Sequence, residues 1–185
     1  MPMNALKISL IIVASLLLLS GAGYLYASSG VKSKSGYAKL VTPQGPSVNT
    51  LISVNIGPGG VAPTRWLAGK IMEASDSEHE VPAIVAKRLL NQLEGLQLRV
   101  YEVSGNRQSF DNAIAESVTL LKQKSWETMA TIRDGDEHIV VMHTGDDEHI
   151  NGVSIMVSTR DKAVFVNLIG PFDPQSIADA VGQIK

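Results

Sequence analysis

An α+β domain built on an antiparallel sheet, with helices on one face and a transmembrane or signal helix ahead of it, is the architecture this sequence predicts. Three observations carry that expectation. Ile8 to Ala27 is an apolar run without a charged residue, about the ~20 residues a membrane-spanning helix needs. Apolar stripes at helical spacing recur in the middle of the chain. The last third consists of short strand-like stretches whose connections are too short for anything but antiparallel neighbours.

Residues 1–27 read as a signal-anchor or a signal peptide. Ser20-Gly21-Ala22 and Leu25-Tyr26-Ala27 offer small residues to a signal peptidase, whereas Tyr24 and Tyr26 stand where interfacial aromatics would sit. The length of the run favours a retained anchor. Lys7 lies before it and Lys32, Lys34 and Lys39 after it, so charge alone does not orient it. A very short tail ahead of a signal-like run favours an exported C-terminal domain. The expected location is single-pass in the cytoplasmic membrane with the domain on the periplasmic or extracellular side. The alternative is a secreted or periplasmic protein after cleavage. A helix buried in a soluble core fits less well, because the run has no polar face.

The chain contains no cysteine, which removes a disulfide framework, a thiolate metal site, a cysteine nucleophile and a lipidated cysteine. Of its basic residues only Lys7 falls in the first 27, leaving 15 basic against 18 acidic residues in the remainder. A mildly acidic domain implies no nucleic-acid partner.

Residues 28–50, rich in Ser, Gly, Pro and Lys, read as a flexible tether, and residues 51–185 as one globular domain. Leu51 to Ile56 is a β-branched strand stopped by Gly57-Pro58-Gly59-Gly60. Two helices follow, one opened by Pro63 with Leu67, Ile71 and Ala74 on one face, the next opened by Pro82 with Val85, Leu89 and Leu93. Gly95 closes the second, and Leu96 to Val103 makes another strand. Ser109 to Lys124 is a third helix, striped by Phe110, Ile114, Val118 and Leu121. Trp126 to Arg133, Glu137 to Thr144, Ile150 to Thr159 and Ala163 to Ile169 form a four-strand meander. Asp173 caps a last helix with Pro174 at its first position and Ile177, Val181 and Ile184 facing inward.

No catalytic, cofactor-binding or metal residue is assigned from the sequence. His138 and His143 lie five apart on one strand, so alternation sends them to opposite faces. Pairing in the meander would draw His149, beyond the acidic turn Asp146-Asp147-Glu148, toward His143, but a solvated turn explains the same letters. His79 stands in a polar loop. The acidic turn lacks the ligand spacing of a calcium loop, and Asp134-Gly135-Asp136 is first a hairpin signal. Gly57-Pro58-Gly59-Gly60 fails as a phosphate loop, since it lacks the Gly-Lys-Ser/Thr ending and its prolines remove amide donors. Trp66 and Trp126 read as core, and Met129, Met142 and Met156 as sheet packing. Asn55 and Asn167 interrupt apolar strands, so each buried amide needs a partner, and register fixing is favoured over a shallow pocket.

The order and spacing of Leu98-Arg99-Val100-Tyr101, Trp126-Glu127-Thr128-Met129, Gly152-Val153-Ser154-Ile155-Met156-Val157 and Val166-Asn167-Leu168-Ile169-Gly170-Pro171-Phe172-Asp173 resemble the bacterial family catalogued as domain of unknown function 4252, over about Leu51 to Ile184. The resemblance implies a small exported α+β domain behind a signal peptide or lipoprotein signal, with no established enzymatic activity and no catalytic residues to carry over. This chain departs from the lipoprotein members by lacking the lipidated cysteine, which leaves the apolar helix as its visible anchor.

The functional expectation is a non-enzymatic, membrane-tethered exported domain, a binding or accessory module for an envelope protein or membrane complex. Its expected partners are membrane lipid through the N-terminal helix and either a protein or a second copy, met through a sheet face that helices leave open. Ala14, Ser15, Ser20, Gly21 and Gly23 would permit close helix packing within a membrane complex. The alternatives are a small metal-dependent enzyme or metal-binding domain using His143, Asp146, Asp147 and His149, and a soluble exported domain that binds a ligand or itself.

Overall fold

A computed structural model describes residues 35–62, 88–103, 107–146 and 148–182. Among the described residues six strands form one antiparallel sheet: β1 (Val48–Ile56), β2 (Gly95–Val103), β3 (Glu127–Asp134), β4 (Glu137–Gly145), β5 (Ile150–Ser158) and β6 (Lys162–Phe172). Their spatial order is β1-β2-β6-β5-β4-β3. The expected meander is therefore present as β3 to β6, and the two earlier strands extend it beyond β6. Helix α1 (Gln108–Lys122) carries the chain from β2 across to the far edge at β3, and helix α2 (Pro174–Gly182) follows β6.

The strand alternation sorts the core into two layers. On β4, Ile139 and Val141 join a cluster that includes Leu96, Leu98, Val153, Val157, Val166, Phe172 and Ile177 of α2. Val140 and Met142, between and beside them, join Tyr101, Met156, Phe165 and the α1 residues Phe110, Ala113, Ile114 and Leu121. Successive side chains point to opposite faces, so α1 and α2 cover opposite faces of the sheet. The expectation of helices on one face only is corrected here. A strand reading Ile-Val-Val-Met is apolar on both sides because both sides are covered, and Leu51 is the large hydrophobic left exposed among the described residues.

A second correction concerns the stretch read as tether. Ala38 is buried, and Leu40 and Val41 pack on the α1-side cluster. β1 itself begins at Val48. Residues 36–41 thus form a strap lying on the sheet beside α1, held by Val41 N–H donating to Ser117 Oγ at 2.9 Å and by Asn167, below.

Local signals act as the sequence predicts. Asp173 Oδ2 accepts from the Ser176 N–H and hydroxyl at 3.1 and 2.7 Å, and Oδ1 from Gln175 N–H at 3.3 Å, which caps α2 behind Pro174. Those bonds, led by the Ser176 hydroxyl, hold the Asp173 carboxyl below its ordinary range. Gly135, at φ +53, closes the β3–β4 hairpin. After Gly57, residues 58–62 make a helical turn with Val61 N–H bonded to Gly57 O.

The helices expected from Pro63 and Pro82 fall mostly outside the described residues, and only the end of the second, 88–92, is seen as helix. Trp66, His79, Asp147, Ile184 and the whole run Ile8 to Ala27 also lie outside them, as does the side chain of Val181. Among the described residues no helix is long and apolar enough to cross a membrane.

Candidate functional site

Two polar constellations stand out, one on each half of the α1 face. The first is the seat of the strap. Asn167 lies mid-way along β6, opposite Ser154 of β5, and is fully buried. Its Oδ1 accepts from Ala38 N–H at 2.9 Å, and its Nδ2 donates to Gly36 O at 3.1 Å and Val153 O at 3.3 Å. One amide thus satisfies a donor and an acceptor of the strap and ties both to β5. The strap approaches the sheet backbone to backbone: a Cβ on Gly36 would overlap Asn151 O, and one on Gly152 would overlap Gly36 O. Two glycines are needed here because no side chain fits between the chains. A small open cleft of about 150 Å³ lies where the chain enters, lined by Ser35, Glu94, Asn151, Ile169, Gly170 and Pro171.

The second constellation gathers at the start of α1. Asp111 takes a forked pair of bonds from Arg107, Nε to Oδ2 at 3.0 Å and an Nη to Oδ1 at 3.1 Å, and accepts from the buried Ser158 hydroxyl at 3.3 Å. His138 Nδ1 lies 3.8 Å from the same oxygen, an ionic separation rather than a hydrogen bond. Arg107 also donates to Asp136 O at 2.6 Å, and Arg160 pairs with the Asp136 carboxylate at 2.9 Å. Burial pushes the Asp111 carboxyl up, but the bonds and charge of Arg107, helped by Ser158 and His138, outweigh it and hold it below its ordinary value. Burial lowers the His138 imidazole, and the charges of Arg133 and Arg107 add to that against the opposing pull of Asp111.

Chemically this is a staple. Ser158 and His138 both turn to Asp111 rather than to each other, so the imidazole does not activate the hydroxyl as a nucleophile. The arrangement pins the N-terminal turn of α1, whose cap residue Arg107 supplies no side-chain cap bond, to β5 and the β3–β4 turn.

Among the described residues the sequence candidates for a metal, His143, Asp146 and His149, form no ligand cluster. His143 is paired in register with Val153 on β5 and Glu127 on β3, and it points to the α2 face, opposite His138. Its Nδ1 is buried without a hydrogen-bond partner among the described residues. His149 is exposed in the β4–β5 turn. Asp146 Oδ1 accepts from the backbone N–H groups of Glu148 and His149 at 3.0 and 2.7 Å, bonds that hold its carboxyl low, His149 foremost. Asp146 thereby closes a turn with its own backbone. Among the described residues no three His, Cys, Asp or Glu side chains are placed to hold a metal ion.

Trp126 is buried in the α1-side cluster with Met142 and Met156, while Met129 packs on the other face. Of the two flagged amides, Asn167 finds its partners and Asn55 does not: its Oδ1 is buried and unpartnered among the described residues. The Arg107–Asp111 staple is not singled out by the sequence reading, although the spacing of the two residues on a predicted helix is that of an i,i+4 ion pair.

Comparison with curated proteins and with solved structures finds no match. The family described as domain of unknown function DUF4252 matches residues 62–180, which includes β2 to β6 and α1, whereas the strap and β1 precede the matched residues. That match spans well over half of the chain and agrees with the resemblance read from its strings, and the chain therefore belongs to the DUF4252 family.

Proposed function

We propose that this chain is a non-enzymatic, membrane-tethered exported domain that serves as a binding or accessory module for an envelope protein or membrane complex. The observation that carries the reading is the strap. Residues 36–41 are latched to the sheet by Asn167 and Ser117, so only residues 28–35 separate the latched chain from the end of the apolar run at Ala27. An extended residue spans ~3.3–3.6 Å, so this link reaches at most ~30 Å. With the run retained in the bilayer, the domain is a body held against the membrane surface, where a partner in the same membrane meets it at high local concentration.

The test is the intact mass of the native protein extracted in mild detergent from washed membranes, with whatever co-purifies. The reading expects a full-length mass and a stoichiometric partner, either another envelope protein or a second copy. A mass beginning near Gly23 or Ser28, recovered alone from the soluble fraction, overturns it in favour of a free exported domain.

A further inference from the structure

The sheet has two edges, and they differ. β3 carries Glu127 at its start and Arg133 and Asp134 at its end, all exposed. β1, the other edge, reads Val-Asn-Thr-Leu-Ile-Ser-Val-Asn-Ile over nine residues without a charge or a proline. Among the described residues it is hydrogen-bonded to β2 on one side only. Native sheets blunt their edges with charge, proline or a bulge. β1 has only the bulge between Thr50 and Ile52, and the exposed Leu51, half accessible, sits in it.

We propose that β1 is a dimerisation edge, at which two copies in one membrane pair these strands antiparallel about a two-fold axis at Ser53. The proposal rests on the anchored reading for its local concentration, and it names a second copy as a partner of that surface. Paired residues in a continuous sheet share a face, so an antiparallel self-pairing joins positions of equal parity, and the bulge at Leu51, which puts Thr50 on the face of Ser53, confines regular pairing about that axis to residues 52–54. With Ser53 on the axis, Ser53 meets Ser53 on the α1 face, and Ile52 meets Val54 on the α2 face. Both apolar side chains are half-buried in the single chain and gain cover from the partner.

Three considerations select this occupant. An uncharged strand meets its own copy without like-charge repulsion, whereas docking β1 on β3 of the next copy desolvates Glu127, Arg133 and Asp134 and makes a head-to-tail contact that risks an open filament. The two-fold axis stands normal to the sheet, so it keeps the α1 face of both copies, and with it both straps, on the same side. Two chains entering from one bilayer need that geometry. Finally, a single strand edge falls short of the ~1,200–2,000 Å² that a stable soluble dimer buries, so the pairing depends on confinement to a membrane.

The chain has no native cysteine, so Ser53→Cys in the full chain, reconstituted in phosphatidylcholine vesicles and mildly oxidised, reads the contact directly. Most of the protein should become a disulfide-linked dimer, a Thr131→Cys control on the exposed face of β3 should stay monomeric, and adding Leu51→Lys to Ser53→Cys should abolish the cross-link. Flotation of the same vesicles reports anchoring separately. Floating protein that stays monomeric, cross-links equally at Thr131→Cys, or cross-links regardless of Leu51→Lys overturns the edge pairing and leaves the anchored reading intact. Protein that does not float but cross-links at Ser53→Cys and loses that link with Leu51→Lys overturns the anchor and, with it, the dependence of the pairing on membrane confinement, and keeps only the edge.

Discussion

Asn167 and Ala38, 129 residues apart in sequence, are joined by a 2.9 Å hydrogen bond from the Ala38 N–H to the Asn167 side-chain oxygen, both residues fully buried. That bond turns a segment with the composition of a linker into part of the domain. It also leaves residues 28–35 as the stretch of sequence between the apolar run and the latched chain.

Asn167→Ala removes the latch and orphans two buried strap groups, the Ala38 N–H and the Gly36 carbonyl. At ~1–3 kcal/mol for each buried group left unpaired, partly relieved by water once the strap lifts, the expected loss is about 2–4 kcal/mol. Urea unfolding measures the loss. Amide exchange should show residues 36–41 opening far ahead of β5 and β6. Equal protection of the strap in the variant would mean that its apolar contacts alone hold it.

Gly36→Ala and Gly152→Ala each place a methyl group where backbone of the facing segment already lies. Each should cost about 1–3 kcal/mol, the range for an overpacked contact, and should expose residues 36–41 to limited proteolysis. Gly59→Ala meets nothing within 4 Å and serves as the neutral comparison in the same assays.

Much of this architecture is legible in the sequence, and what is not has a physical reason. Period-2 alternation and short turns locate β3 to β6 within a few residues, and the Phe110, Ile114, Leu121 stripe locates α1. The sidedness is hidden. Ile139 to Met142 is apolar at every position, which is compatible with one face awaiting a partner as well as with two covered faces, and only the placement of α1 and α2 decides. The strap is hidden because small residues and prolines mark both flexible chain and chain pressed against a backbone. Its one trace is Asn167, an amide in an apolar strand whose partner the strand pattern does not contain. The staple is half legible, as an Arg107, Asp111 pair, but Ser158 and His138 reach it only through the sheet register.

Asp111→Ala removes the forked pair with Arg107 and leaves the buried Ser158 hydroxyl without its acceptor. The ion pair is about a third exposed on the Asp111 side, so its own contribution is within ~0–1 kcal/mol. With the orphaned hydroxyl added, the expected destabilisation is about 1–2 kcal/mol. Ser158→Ala in the Asp111→Ala background should cost little more, and a large further loss would show that Ser158 has another partner.

The pH dependence of stability follows from His138. Its folded value is lowered from the ordinary 6.5, so the unfolded chain binds a proton at higher pH than the native one does. The resulting stabilisation is present above pH 6.5 and is lost as pH falls through the folded value. Asp111, lowered from 3.8, loses its contribution in the same direction at more acid pH. Chemical unfolding at a series of pH values should show stability falling below neutrality, and His138→Gln should flatten that fall near its onset. An unchanged slope in the variant would assign it to another group.

The proposed domain is held at the bilayer by a short link, and the most direct measurement of it is energy transfer from a donor at Ser35→Cys of the full chain to acceptor-labelled lipid headgroups in vesicles. A link of at most ~30 Å predicts efficient transfer. Absent transfer, with the chain recovered in solution rather than with the vesicles, would contradict the membrane-held domain.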